Sequence, residues 1–435
     1  MRFCLPVVAL ALLAAPAFPA DNWPGYRGPT GDGVSDAKNL PTEWSEDKNI
    51  RWKTAIHGKG WSSPVVWGDQ VWMTTAEEVR GTGKVNPKDT GGASGVKVEK
   101  VTFYAVCVNR KTGSIVHDIK IAEETNPAFC HDFNSYASPT PVIEAGRVYV
   151  HFGSHGTWCL DTATGKPLWD RRDLKCNHYR GPGSSPILYK NLLVMIFDGS
   201  DYQYVVALDK ATGHTAWKKD RNIKYASENG DYKKAYATAQ VIDVEGKPQL
   251  VCPSAEDTIV YEPITGEELW RFHHLKKSTM NAAGRPIAGH GLIYLTSGNP
   301  NQLMALKLGG SGLVPKDAVT WESGKGVPNR PSLLIVGDLL FMINEEGIMS
   351  CLDAKTGKQY WSERQNGEYT ASPLYADGYI YLANQTGKTI VVKASKTFEP
   401  VATNGLAEGC MASPAVTGDA ILLRTKTHLY CIGKK

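Results

Sequence analysis

The hydrophobic pattern repeats. A small residue and Pro lead into a short apolar run, a Gly or Asp turn and an alternating stretch: SSPVVWGDQVWMTT, ASPTPVIEAGRVYVHF, SSPILYKNLLVMIF, ASPLYADGYIYLA and ASPAVTGDAILLR. A second phrase follows: CLDTATGKPLW from Cys159 to Trp169, ALDKATGHTAW from Ala207 to Trp217 and CLDAKTGKQYW from Cys351 to Trp361. VYEPITGEELW, ending at Trp270, is a degenerate copy, and CVNRKTGSIVH closes on His117 in place of Trp. Alternation and tight turns predict four strands per unit, the third ending in Leu-Asp and the fourth in Trp. Thr-Gly between these two supplies the residue that tolerates positive φ, and the preceding Asp or Asn bonds the turn amides.

Inner strands are placed at Ser63, Ser138, Ser185, Ala239, Arg285, Ser332, Ser372 and Ser413. Eight units of about 47 residues match the length of a four-stranded propeller blade, and one such meander cannot bury its faces alone. The expected fold is therefore all-β: an eight-bladed β-propeller of four-stranded antiparallel blades. The last unit ends at Cys431-Ile432 without a Trp strand, and NIRWKT around Trp52 is unclaimed, so the N-terminal strand is expected to pair into the last blade and close the ring. Trp52, Trp169, Trp217, Trp270, Trp321 and Trp361 are expected to dock blade against blade rather than bind ligand. Arg80 to Lys100 reads as a flexible loop inserted in the first unit.

Composition narrows the class. With 42% apolar and 21% charged residues, 43 Gly and 25 Pro, the chain is too hydrophobic for disorder and too Gly-rich for a coiled coil. A formal charge of +4 demands no nucleic-acid partner. The opening MRFCLPVVALALLAAPAFPA has a basic residue, a short apolar core and small residues at Ala15 and Ala17, the pattern of a secretory signal cleaved after Ala17 or, alternatively, Ala20. That core is too short to span a bilayer, so no transmembrane segment is expected. The expected organisation is a signal peptide over 1–17, an N-terminal extension over 18–50 and a single propeller over 51–435, exported to the periplasm or beyond.

Cys107, Cys159 and Cys351 each precede a Gly by six residues and so share one register, with Cys431 as a fourth; they read as small apolar fillers. Cys130 and Cys176 lie in polar loops at the same stage of consecutive repeats, where a disulfide is an open alternative. Catalytic signatures are absent: no HExxH, GxSxG, phosphate loop or EF-hand occurs, and His273-His274 reads as a solvated pair.

These phrases resemble the repeats of the quinoprotein (PQQ-type) eight-bladed propellers, a superfamily that holds the quinoprotein alcohol dehydrogenases and the BamB-like assembly factors. WPGYRGPTGDGVS from Trp23 to Ser35, with FNSYASPTP and NHYRGPGSSP, looks like an exported planctomycete-type subgroup. The resemblance implies loops gathered at the mouth of a central channel. There the chain offers Lys59, Trp61, His131, Asn134, Tyr136, His178, Arg180, Asp198, Asp201, Arg285 and Arg330 as candidate ligand-binding residues, a set suited to a carbohydrate, an anion or an extended peptide. Asp198 and Asp201 are alternatives for a cation. His131, Asn134, His178 and Arg180 are expected to converge on one ligand.

In the dehydrogenases the resemblance implies a quinone held between a Trp and a ring of two adjacent disulfide-bonded cysteines, with Glu, Asn and Asp serving calcium and catalysis; no Cys-Cys dipeptide occurs here. The expectation is a monomeric, non-enzymatic binding or scaffold propeller for an envelope protein, peptide or carbohydrate, without cofactor, metal or catalytic residue. The alternative is an oxidoreductase using PQQ with calcium.

Overall fold

The computed structural model describes residues 21–86, 95–275, 283–298 and 301–434, so the expected signal peptide lies outside the described residues. Eight sheets follow one another along the chain, spanning 65–125, 142–171, 187–220, 240–273, 287–323, 334–364, 374–405 and 415–432, here blades 1 to 8. Within each, hydrogen-bonded order follows chain order from inner to outer strand. Blade 8 takes its outer strand from the other end of the chain: Ile50–Ala55 pairs antiparallel with His428–Ile432, Trp52 opposite Cys431. Among the described residues, no helix is long and apolar enough to cross a membrane.

The inner strands are tied together by one repeated hydrogen bond. Two residues before each begins, a backbone N–H donates to the side-chain hydroxyl of the equivalent residue one blade on: Ser63 to Thr140, Thr140 to Ser185, Ser185 to Thr238, Arg285 to Ser332, Ser332 to Ser372, Ser372 to Ser413, and Ser413 back to Ser63, all at 2.9–3.1 Å. The last of these links blade 8 to blade 1. Among the eight junctions only Thr238 to Arg285 lacks the bond, because arginine has no hydroxyl to accept it. This register corrects two expected positions. Thr140, not Ser138, and Thr238, not Ala239, start blades 2 and 4; ASPTP contains two small-Pro steps, and blade 4 has lost its Pro, so sequence alone slipped by two residues and by one.

The second phrase works as a dock. In blade 3, Asp209 Oδ1 accepts the Ala211 and Thr212 amides and the Thr212 hydroxyl, while Gly213 turns at φ +75°. The Trp169 ring of blade 2 lies where a Gly213 Cβ would stand, and its indole N–H donates to Lys210 O at 3.0 Å. Trp52, Trp217 and Trp321 dock likewise on Gly113, Gly266 and Gly357, whereas at Gly165 Ile119 Cδ1 fills that place, with His117 beside it. Trp361 donates to Ser395 O. Trp270 packs among blade 5 residues but donates to Gln249, because 308–318 replaces the usual turn and contributes Gly312–Val314 to the edge of blade 4. Each ring faces a small or β-branched partner across its own sheet: Cys159 opposite Trp169, Cys351 opposite Trp361, Cys107 opposite His117.

Two expectations about chain segments change. Most of the described part of the supposed loop from Arg80 to Lys100 is strand: Gln70–Lys84 and Val96–Asn109 pair far beyond the other blades, with Val98 and Val101 buried and 87–94 outside the described residues. Meanwhile the N-terminal extension is inside the ring. Trp23 exchanges both backbone hydrogen bonds with Val66 of the blade 1 inner strand. Pro24 O accepts from Ile143 of blade 2, Thr30 O from the Gln240 side chain of blade 4, and Arg27 donates to Leu333 O and Pro373 O of blades 6 and 7. Val34–Ser35 then pairs in parallel with Leu374–Ala376 of blade 7 and returns to the lower face, where Asn39 meets Asp377. The segment from Trp23 to Ser35 is a plug across the lower channel.

Candidate functional site

Above the plug the ring encloses a chamber of about 410 Å³ that opens on the face carrying the outer-to-inner loops. Tyr26 contributes its floor, bonding through its hydroxyl to Ser372 Oγ at 3.0 Å and Ser332 Oγ at 3.4 Å. Tyr26 thus occupies one sector of the hydroxyl circuit, while Ser413, Ser63, Thr140, Ser185 and Thr238 form an open arc along the chamber wall. Each oxygen of that arc already accepts an amide proton, so its own O–H is the group left to donate. No acceptor for these five protons exists among the described residues.

The upper wall is cationic and aromatic. Trp61, Phe133, Tyr236, His131, Asn134, Arg180 and Arg330 line it, and no Asp or Glu does so among the described residues. The Arg330 guanidinium stacks 4.2 Å from the Phe133 ring centre, and no carboxylate lies within ion-pair distance of it among the described residues. Arg180 leans on Asp231 at 3.3 Å, yet its buried Nε has no hydrogen-bond partner among the described residues. His131 Nδ1 accepts the Phe133 amide, which puts the proton of the neutral ring on Nε2. Burial, and next the charge of Arg180, with Lys59 and Arg330 beyond, hold His131 below its ordinary value. Beneath the floor, burial lowers Arg27 and takes Arg285 down to about 10; both donate to backbone carbonyls, while the buried Nε of each has no hydrogen-bond partner among the described residues. Positive charge therefore approaches the chamber from above and below.

The structure divides the residues nominated from sequence. Trp61, His131, Asn134, Arg180 and Arg330 share the chamber. Asn134 acts as a clasp, its amide donating to Arg180 O and Pro182 O, so it places the Arg180 loop. Lys59 stays on the rim, donating to Asp132 O. The remaining five are corrections. Tyr136 is buried in the core with its hydroxyl on Ala128 O. His178 is buried and accepts the Ser154 amide on Nε2, so it props a neighbouring turn, and the expected four-residue convergence reduces to three. Asp198 is sealed in an ion pair with Arg221 at 2.7 Å. Asp201 caps the amides of Asn177 and Tyr202, away from any cation-holding set. Arg285 grips Tyr26 O from below and holds the plug. His273 and His274 also part ways: His273 pairs with Asp257, and His274 is buried against Thr258.

Sequence reasoning missed Tyr26, Phe133, Tyr236 and the hydroxyl arc. The signal for the arc was present, since Ser or Thr precedes Pro at most blade starts, but it was read as a strand boundary only.

Cys130 and Cys176 are free thiols, which corrects the bridge offered above. Cys130 Sγ sits against Gly181 and Cys176 Sγ against Gly199, in different loops, and burial pushes Cys176 well up. Intact mass after alkylation in denaturant without reductant is expected to show both alkylated; a mass two adducts short, with the two peptides linked, would refute this.

A family profile described as outer membrane protein assembly factor BamB matches residues 96–311 and 255–427. No curated protein matches the sequence. Among solved structures, the chain is similar to BamB from Moraxella catarrhalis, with a TM-score of 0.57 at 12% identity over 88% of this chain and 98% of that one. Quinohemoprotein alcohol dehydrogenase from Comamonas testosteroni gives 0.65 at 12% identity over 95% and 81%. A europium-containing methanol dehydrogenase gives 0.62 at 12% over 93% and 89%. At these identities the likeness is one of fold.

Proposed function

The chain belongs to the family of the outer membrane protein assembly factor BamB, and we propose that it is a non-enzymatic binding propeller that holds an anionic ligand in its channel chamber. One observation carries this reading: five hydroxyl donors without acceptors face two guanidinium groups in a chamber whose described lining contains no carboxylate. Such a lining is complementary to oxygen anions and repels cations. The signal-like first twenty residues support a place outside the cytoplasm, periplasmic or extracellular.

The oxidoreductase alternative asks for carboxylates around calcium beside the quinone. The described chamber lining offers none, and Cys130 and Cys176 are separate thiols, so the donor set does not fit the quinone with calcium. Turnover with PQQ and calcium in a dye-linked alcohol assay would overturn the non-enzymatic reading.

Isothermal titration with isophthalate, a rigid aromatic dicarboxylate, is the direct test. Binding is expected to weaken with added salt and to strengthen as pH falls from 7 to 5. The sign follows from His131, whose depressed value rises when an anion neutralises the neighbouring guanidinium charge, so the complex holds the extra proton. Heats measured in buffers of different ionisation enthalpy report that proton uptake; pH-independent binding without it would count against the chamber.

A further inference from the structure

We infer that the chamber receives the carboxylate end of an extended polypeptide, arriving end-on from the upper face; the inference rests on the anion-binding reading above and names its ligand class. Geometry sets the first condition. Trp23–Ser35 touches the inner strands of six blades, so the channel is blind and a polymer reaches the hydroxyl arc only by its end. Donor chemistry sets the second. A terminal carboxylate brings two oxygens with several lone pairs into a small space, which suits clustered O–H donors and the Arg180 and Arg330 guanidinium groups.

The third observation concerns the rest of the ligand. Below the chamber the channel wall is made of inner-strand edges, whose backbone groups pair with another backbone. The protein already uses them so: Val34–Ser35 adds in parallel to Leu374–Ala376, and Trp23 bridges to Val66 at 3.0 and 2.8 Å. Tyr26 shows, in addition, that the hydroxyl circuit accepts a group carried by a polypeptide. A second chain entering from above passes the loop residues Trp61, Phe133 and Tyr236 and ends where the unpaired donors are, directly above the edges that the plug occupies.

The test is fluorescence anisotropy on the full protein with a pool of random hexapeptides carrying N-terminal fluorescein, made once with free carboxyl ends and once amidated. The free-acid pool is expected to bind at least tenfold more tightly, with the difference removed in Arg330→Gln. Equal affinities, or no binding of either pool, would overturn the peptide assignment. Trigalacturonate binding in place of the acid pool would also overturn it while leaving the anion site standing. If isophthalate and inorganic phosphate fail to bind as well, the anion reading itself falls, so the two failures are distinguishable.

Discussion

Between pH 7 and pH 4 the protein is expected to lose about 7 kcal/mol of folding stability, most of a typical domain's total. Three buried imidazoles drive the loss. His151 and His178 are held down to about 3 and His274 to about 4, in each case chiefly by burial. The unfolded chain protonates near pH 6.5 and the folded chain does not, so unfolding takes up protons throughout this window and stability falls with pH. Each ring contributes roughly 3 kcal/mol by pH 4. Asp198 works in the opposite direction. Burial raises it to about 6 despite Arg221, so the folded state gains a proton first, and this offsets about 2 kcal/mol. Urea unfolding at half-unit pH steps measures the slope. His151→Gln, which leaves a neutral partner for Thr157, is expected to reduce the loss by about 3 kcal/mol; a flat profile would show that these rings are not buried as described.

A single methyl group in the plug is expected to cost about 3 kcal/mol. Gly31 turns at φ +76°, and a Cβ there would lie 2.5 Å from Arg285 Cζ and 2.6 Å from Gln240 Oε1. Gly31→Ala therefore adds left-handed strain to the displacement of a buried guanidinium from the Tyr26 carbonyl it holds. Gly146→Ala separates the two effects: its φ is nearly the same at +77°, but nothing lies within 4 Å of its Cβ, so only about 1 kcal/mol is expected. The gap between the two variants, read from urea midpoints, measures how firmly the plug is seated. Equal losses would mean that the segment does not depend on Arg285.

The parts of this fold written in local chemistry were legible from sequence. The Asp-x-x-Thr-Gly turn and the Trp eight residues after its Asp made an outer strand and a dock predictable, down to Trp52 closing the last blade against Cys431. Cysteines at one register were rightly read as fillers rather than bridges. The plug was not legible, because WPGYRGPTGDGVS has no periodicity of its own. Its Gly and Pro residues fix a path only through partners such as Leu333, Pro373 and Arg285, some 250 to 350 residues away. Loop residues divided for a similar reason. A strand's period tells which side chains face inward, but nothing in CNHYRGPG told that His178 turns under Ser154 while Arg180 faces the chamber. Arg285 showed the most misleading pattern: a basic residue at a blade start reads as a channel ligand group, yet it is the residue that interrupts the hydroxyl circuit and anchors the floor beneath it.

The most direct test of the chamber is isophthalate titration of Arg180→Gln/Arg330→Gln beside the parent protein. Two charge-assisted contacts removed from a recessed site are expected to weaken binding by at least about a hundredfold. The urea midpoint should stay within error, because neither guanidinium holds the ring together. Undiminished affinity in the double variant would place the anion elsewhere and contradict the account.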